Sequence, residues 1–135
     1  MGVPLRVIQV VRNRFDAITT NTRKSTQLKN NLGRGVDQFI RLAEAAERVR
    51  ARLAESEIII VRHEELVADV HTTLTNVCSR LGVEASGEYL DACSSIAFES
   101  PRRTRDAMPW TPVLRAKVEA RIASDPLLAC YTFDS

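Results

Sequence analysis

The sequence lacks the marks of most specialised classes. Its three cysteines, Cys78, Cys93 and Cys130, are odd in number and stand at no metal-ligand spacing, which argues against a disulfide framework, a metal site and a reactive thiol. Cys78 falls on an expected helix face with Leu74, Val77 and Leu81 and reads as a buried apolar thiol, a usage that fits a reducing compartment. No run approaches the roughly 20 apolar residues of a membrane span. Met1-Gly2-Val3-Pro4 has no basic segment leading into a long apolar core, so no signal peptide is read. Gly2 lacks the following Ser or Thr of a myristoylation site. The net charge of +2 is too small for bulk nucleic-acid binding, and there is no internal repeat or low-complexity segment.

What is present is ordinary in amount and uneven in placement. A hydrophobic content of 44% with 27% charged residues suits a soluble globular protein. A length of 135 residues predicts one domain able to bury roughly two thirds of its unfolded surface. Residues 1–29 carry six basic side chains (Arg6, Arg12, Arg14, Arg23, Lys24, Lys29) against one acid, Asp16, and Arg102, Arg103 and Arg105 form a second basic cluster. Two such clusters can converge on one anion.

The hydrophobic pattern alternates strand and helix. Leu5 to Val11 reads as a fully buried strand and Asp16 to about Arg23 as a short helix. Residues 22–34 are polar, carry no clean period and read as a mobile loop. Val36 to about Leu53 predicts an amphipathic helix with Phe39, Leu42, Ala43, Ala46, Val49 and Leu53 inward and a Glu44–Arg48 pair outside. Glu57 to Arg62 reads as a second buried strand, and Glu64 to Leu81 as one helix with Leu66, Val70, Leu74, Val77, Cys78 and Leu81 inward, closed by Gly82. A shorter helix over 86–96, a loop over 98–109 and a last helix capped by Thr111-Pro112 complete the chain. Val113, Leu114, Val118 and Ile122 are its expected inner face, and the aromatic tail is expected against the sheet. Strands alternating with helices imply parallel pairing. Two strands alone make a poor sheet, and a strand starting so near Met1 suggests further strands upstream.

The apolar run of the first strand stops at Arg12, and a turn at Asn13-Arg14 leads into a helix carrying Thr19 and Thr20. A strand that delivers an arginine and a hydroxyl at its carboxyl end is a way to hold a phosphate. Each residue also has a structural alternative. Arg12 can pair with Asp16 or Glu64, Thr20 can bond its own helix backbone, His63 can be a satisfied structural histidine, and Arg102 and Arg103 can be a solvated face. Trp110 reads as a packing anchor, and Glu64 and Glu65 as helix-start charges. Helices 36–53 and 111–124 show no basic stripe with base-reading residues at the start, so no nucleic-acid partner is expected.

Arg12-Asn13-Arg14-Phe15-Asp16-Ala17-Ile18-Thr19-Thr20 resembles the second nucleotide-binding motif of sulfotransferases, a strand followed by Arg-Asn-Pro-x-Asp with a Ser or Thr eight residues after the arginine. Arg14 stands where that family usually has proline. Ile58 to Leu66 resembles the family's later strand and Tyr-Glu-Asp-Leu motif, with His63 at the aromatic position, followed by a helix ending in Leu81-Gly82-Val83. Ser100 to Trp110 resembles its basic segment before a tryptophan-led helix. The resemblance spans residues 5–133 and implies a helix-rich, partial P-loop-like three-layer α/β fold with short parallel strands. It implies that Arg12 and Thr20 grip the 3′-phosphate of 3′-phosphoadenosine 5′-phosphosulfate, that His63 meets the adenine, and that Arg102 and Arg103 close over the phosphate.

The acceptor implied is a hydroxyl or amine of unread class, and no metal is implied. No Gly-x-x-Lys-Ser/Thr loop precedes residue 12, so residues 1–135 read as a single partial domain, the 3′-phosphate and adenine half, with no catalytic base assigned. Transfer of a planar SO3 group resembles phosphoryl transfer, in which alignment and charge stabilisation do the work. A noncatalytic nucleotide-phosphate-binding or protein-interaction module is the alternative. A cytoplasmic chain and one separated from an N-terminal Golgi anchor both fit, and the oligomeric state is not read.

Overall fold

The computed structural model describes residues 4–135, and Gly2 of the myristoylation reading lies outside them. Among the described residues the fold is mixed α/β with six α-helices and one two-stranded parallel sheet. The chain groups into two compact units, one of residues up to Arg12 with Leu53–Arg102, the other of Asn13–Arg52 with Arg103–Ser135.

The first unit holds the sheet. Strand β1 (Val7–Val11) pairs in parallel with β2 (Ile58–Arg62), Val7 opposite Ile58 and Val11 opposite Arg62. Helix α3 (His63–Ala68) follows β2 directly, then α4 (Val70–Leu81) and α5 (Gly87–Ile96). Ile59 and Val61 are buried, yet their cross-strand neighbours Ile8 and Val10 are 45% and 55% exposed. The fully buried reading of β1 is therefore wrong. The β-branched run makes a strand, but in a two-stranded sheet nothing among the described residues covers that part of β1.

The single helix expected over 64–81 is broken at Asp69, with φ −149° and ψ 87°. The Asp69 carboxylate accepts from the Thr72 backbone N–H at 3.0 Å and the Thr72 hydroxyl at 2.7 Å, starting α4 anew. These bonds hold its carboxyl below the ordinary value of 3.8. Of the expected inner face only Val70 is buried, and Leu81 is exposed. Gly82 closes α4 at φ 75°, a left-handed cap as expected. Ser86 caps α5 by accepting from Tyr89 N–H. Arg80 Nη2 donates to the carbonyls of Glu55 (3.1 Å) and Ile58 (2.7 Å), pinning α4 to the start of β2.

The second unit is helical: α1 (Arg14–Lys24), α2 (Leu32–Arg52) and α6 (Pro112–Ala123). The mobile loop expected over 22–34 is mostly helix and turn. Asn31 accepts from Arg34 N–H at 3.0 Å and opens α2 four residues early, while Leu28 and Leu32 are buried. Gly35 sits where α1 and α2 touch, and a Cβ there would collide with Thr22 Oγ1. Val36 and Ala43 face the core, but Leu42 and Val49 are exposed against expectation. No ion pair joins the exposed Glu44 and Arg48 among the described residues.

Helix α6 has its Thr111 cap and Pro112 start, and buries Val118 and Ile122 while exposing Val113. It is tied to α2 by Lys117–Asp37 (2.6 Å) and Arg121–Glu47 (2.7 Å), and Arg50–Asp125 (2.7 Å) joins α2 to the segment after α6. The tail, expected against the sheet, buries Phe133 against Phe15. Phe15 meets Trp110 and Phe133 edge-on, each with centroids 5.1 Å apart.

Candidate functional site

In the first unit, the carboxyl ends of both strands lie side by side, since Val11 pairs with Arg62. Arg12 follows one strand and His63, half-buried, opens α3 after the other. Ligands of parallel sheets gather at this edge. Arg12 Nη2 donates to the Arg102 carbonyl at 3.4 Å, and no carboxylate lies within ion-pair distance of Arg12 among the described residues. The Arg102 guanidinium lies 3.9 Å from the Phe98 ring centroid. Arg12 and Arg102, ninety residues apart, are thus brought together, with His63 one position past the register pair that ends the sheet.

In the second unit, the residues following Arg12 form a hydrogen-bonded hub. Asn13, at the N-cap of α1, accepts from Phe15 N–H at 3.0 Å and donates to the Thr132 carbonyl at 2.9 Å. Asp16 is buried and receives Arg105 as a fork, Nε at 3.0 Å and Nη2 at 2.7 Å, together with the Arg105 backbone N–H at 2.8 Å. Arg105 also donates to the Phe133 and Thr132 carbonyls. Trp110 Nε1 donates to Thr19 Oγ1 at 3.0 Å within the core, so the tryptophan is a packing anchor.

Thr20 Oγ1 lies 3.0 Å from Thr104 Oγ1, and the Thr104 hydroxyl donates to the Asp16 carbonyl at 3.0 Å. A hydroxyl has one proton, so Thr20 is the donor to Thr104 and its own oxygen remains an acceptor. Arg103 donates to Asp106 at 2.9 Å and to the carbonyls of Asp134 and Phe133.

The five candidates therefore divide. Arg12, His63 and Arg102 stand in the first unit, Thr20 and Arg103 in the second. Sequence reasoning grouped Arg105 with two exposed arginines and missed its burial. The available signal was Asp16, the lone acid among six basic residues. Thr104, which holds the Thr20 hydroxyl, carried no signal.

Among the described residues no group of His, Cys, Asp and Glu could hold a metal ion, and no helix is long and apolar enough to cross a membrane. A family profile described as the sulfotransferase family matches residues 5–87. No curated protein and no solved structure matches the chain.

Proposed function

From the sulfotransferase family, to which this chain belongs, we propose that it carries the part of the enzyme that anchors the nucleotide end of the sulfate donor, 3′-phosphoadenosine 5′-phosphosulfate. The observation that carries this reading is Arg12. It stands at the carboxyl end of a parallel strand with one long hydrogen bond, 3.4 Å, and no acidic partner among the described residues. A guanidinium has five donors in a planar fork, so most of its capacity is open to a phosphate dianion.

In this reading Arg12 and Thr20 hold the 3′-phosphate, His63 meets the adenine, and Arg102 and Arg103 add positive charge. For Thr20 to donate to a phosphate, its hydroxyl must turn from Thr104, which keeps its own bond to the Asp16 carbonyl. Arg103 must leave Asp106 to do the same. The donor supplies an activated sulfuryl group for a hydroxyl or amine acceptor. This chain's contribution is binding and orientation, and no residue of it is assigned to deprotonate the acceptor. Residues 1–135 act in this proposal as one partial sulfotransferase domain.

Calorimetric titration with adenosine 3′,5′-bisphosphate tests it. Micromolar binding that Arg12→Ala abolishes is the expected result. No heat from a chain with native circular dichroism overturns the nucleotide site and leaves the noncatalytic interaction module.

A further inference from the structure

Two exposed helix faces of opposite charge share one geometry. On α2, Arg34, Arg41, Arg48 and Arg52 are exposed, and no ion pair engages their side chains among the described residues. At 3.6 residues per turn they fall within about 40° of one another, on the side opposite Val36 and Ala43. Between the arginine row and the core lie Leu42 and Val49, 60% and 49% exposed, one heptad apart. On α5, Glu88 and Asp91 point away from the inward Leu90 and Cys93. Between them and the core lie Tyr89 and Ile96, 47% and 82% exposed, also one heptad apart. Each apolar pair is separated by about 10.5 Å along its axis.

We infer that α2 of one copy docks on α5 of a second copy, with Leu42 and Val49 against Tyr89 and Ile96 and the arginine row facing Glu88 and Asp91. Charge complementarity selects this occupant. The unit bearing α2 has fourteen Lys and Arg against eight Asp and Glu, a net of +6, and the unit bearing α5 has five against nine, a net of −4. The matched spacing lets both apolar pairs engage in one register. A membrane surface fits less well, because lipid insertion needs apolar side chains outermost, and here arginine is outermost. The interface joins two different patches, so the association is head-to-tail. Asp91 already lies 3.1 Å from His71 Nε2, which leaves Glu88 the freer partner.

Sedimentation equilibrium of the full chain tests this with Arg41→Glu/Arg48→Glu, with Glu88→Arg/Asp91→Arg, and with their equimolar mixture. The wild type is expected to self-associate at low salt and at least about tenfold more weakly near 1 M salt, where the Debye length is ~3 Å. Each variant alone should associate at least about tenfold more weakly. The mixture should regain association, since the acidic α2 of one then meets the basic α5 of the other. Ile96→Ser, at the most exposed apolar site, should give a similar loss without altering charge.

A wild type that stays monomeric, association untouched by either charge reversal or by Ile96→Ser, or a mixture that stays dissociated overturns the proposal. A monomer that instead sediments with phosphatidylserine vesicles overturns it in favour of a membrane.

Discussion

The two units differ in how they spend their side chains. Among the described residues the second buries twelve apolar side chains, including Phe15, Val36, Trp110, Val118 and Leu128, and its ion pairs include the buried Asp16–Arg105 and Arg50–Asp125. Among the described residues the first buries five, Val11, Ile59, Val61, Val70 and Leu90, and its His71–Asp91 pair is exposed. Burial of apolar area is the main favourable term in folding, and exposed pairs add little. The second unit is therefore expected to be the more stable, and the first to open locally. Arg12 stands at the end of the first and the hub that begins at Asn13 belongs to the second.

The largest break in this contrast comes from Arg105→Met. It leaves the Asp16 carboxylate buried without its fork, and losing one partner of a buried pair costs about 3–5 kcal/mol. Urea unfolding followed by Trp110 fluorescence should show that loss. Asp16→Leu combined with Arg105→Met should cost less than the two changes summed, because no lone charge is then buried. Gly35→Ala comes next. Its Cβ meets Thr22 Oγ1 on a fully buried side chain, at a cost of about 1–3 kcal/mol in the same assay. Without these changes, hydrogen exchange should sharpen the contrast from the other side. Amides of β2 and α4 are expected to exchange faster than those of α1 and the first half of α2, and equal protection would refute the ranking of the units.

The sequence was legible where one local rule decided the outcome. Thr111-Pro112 predicted the start of α6 and Gly82 the end of α4, because each satisfies backbone groups within its own turn. Parallel pairing followed from the order of elements, and the Arg12 motif pointed to the family. The failures share a cause, which is that periodicity does not say what covers a face. Ile8, Val10, Leu42, Val49 and Val113 fit their apolar patterns and are exposed. Asp69 was hidden inside a run of inward residues, although its spacing to Thr72 is that of a helix cap. Asn31 was hidden in a polar stretch for the same reason. Arg105 could not be told from Arg102 and Arg103, because the choice between buried fork and solvated side chain depends on Asp16, eighty-nine residues away.

Asp69 gives the smaller effect in the first unit. Its carboxyl is held below its ordinary value by the bonds from Thr72. A depressed folded value stabilises the fold above the unfolded value, and that contribution is lost as pH falls through the folded one. The melting temperature should therefore drop as pH falls below about 4, and Asp69→Ala should remove that part of the acid sensitivity while lowering stability at neutral pH. A variant with the wild-type acid profile would mean that the α4 cap contributes nothing.

The smallest effect is expected in the second unit, at Thr22. Its side chain is fully buried and Oγ1 has no hydrogen-bond partner among the described residues. A buried polar atom without a partner forfeits its bonds to water and regains nothing. Thr22→Val replaces that hydroxyl with a methyl of similar size and should leave stability unchanged or raise it by up to about 1 kcal/mol. The neighbouring Gly35 decides the sign. Its missing Cβ makes room for the Thr22 branch, and a methyl is slightly larger than a hydroxyl, so part of the gain is offset by crowding. A loss above about 1 kcal/mol would mean that the hydroxyl is satisfied in solution, by a water between α1 and α2. The close packing of α1 on α2 at Gly35 would then include a solvent molecule at its tightest point.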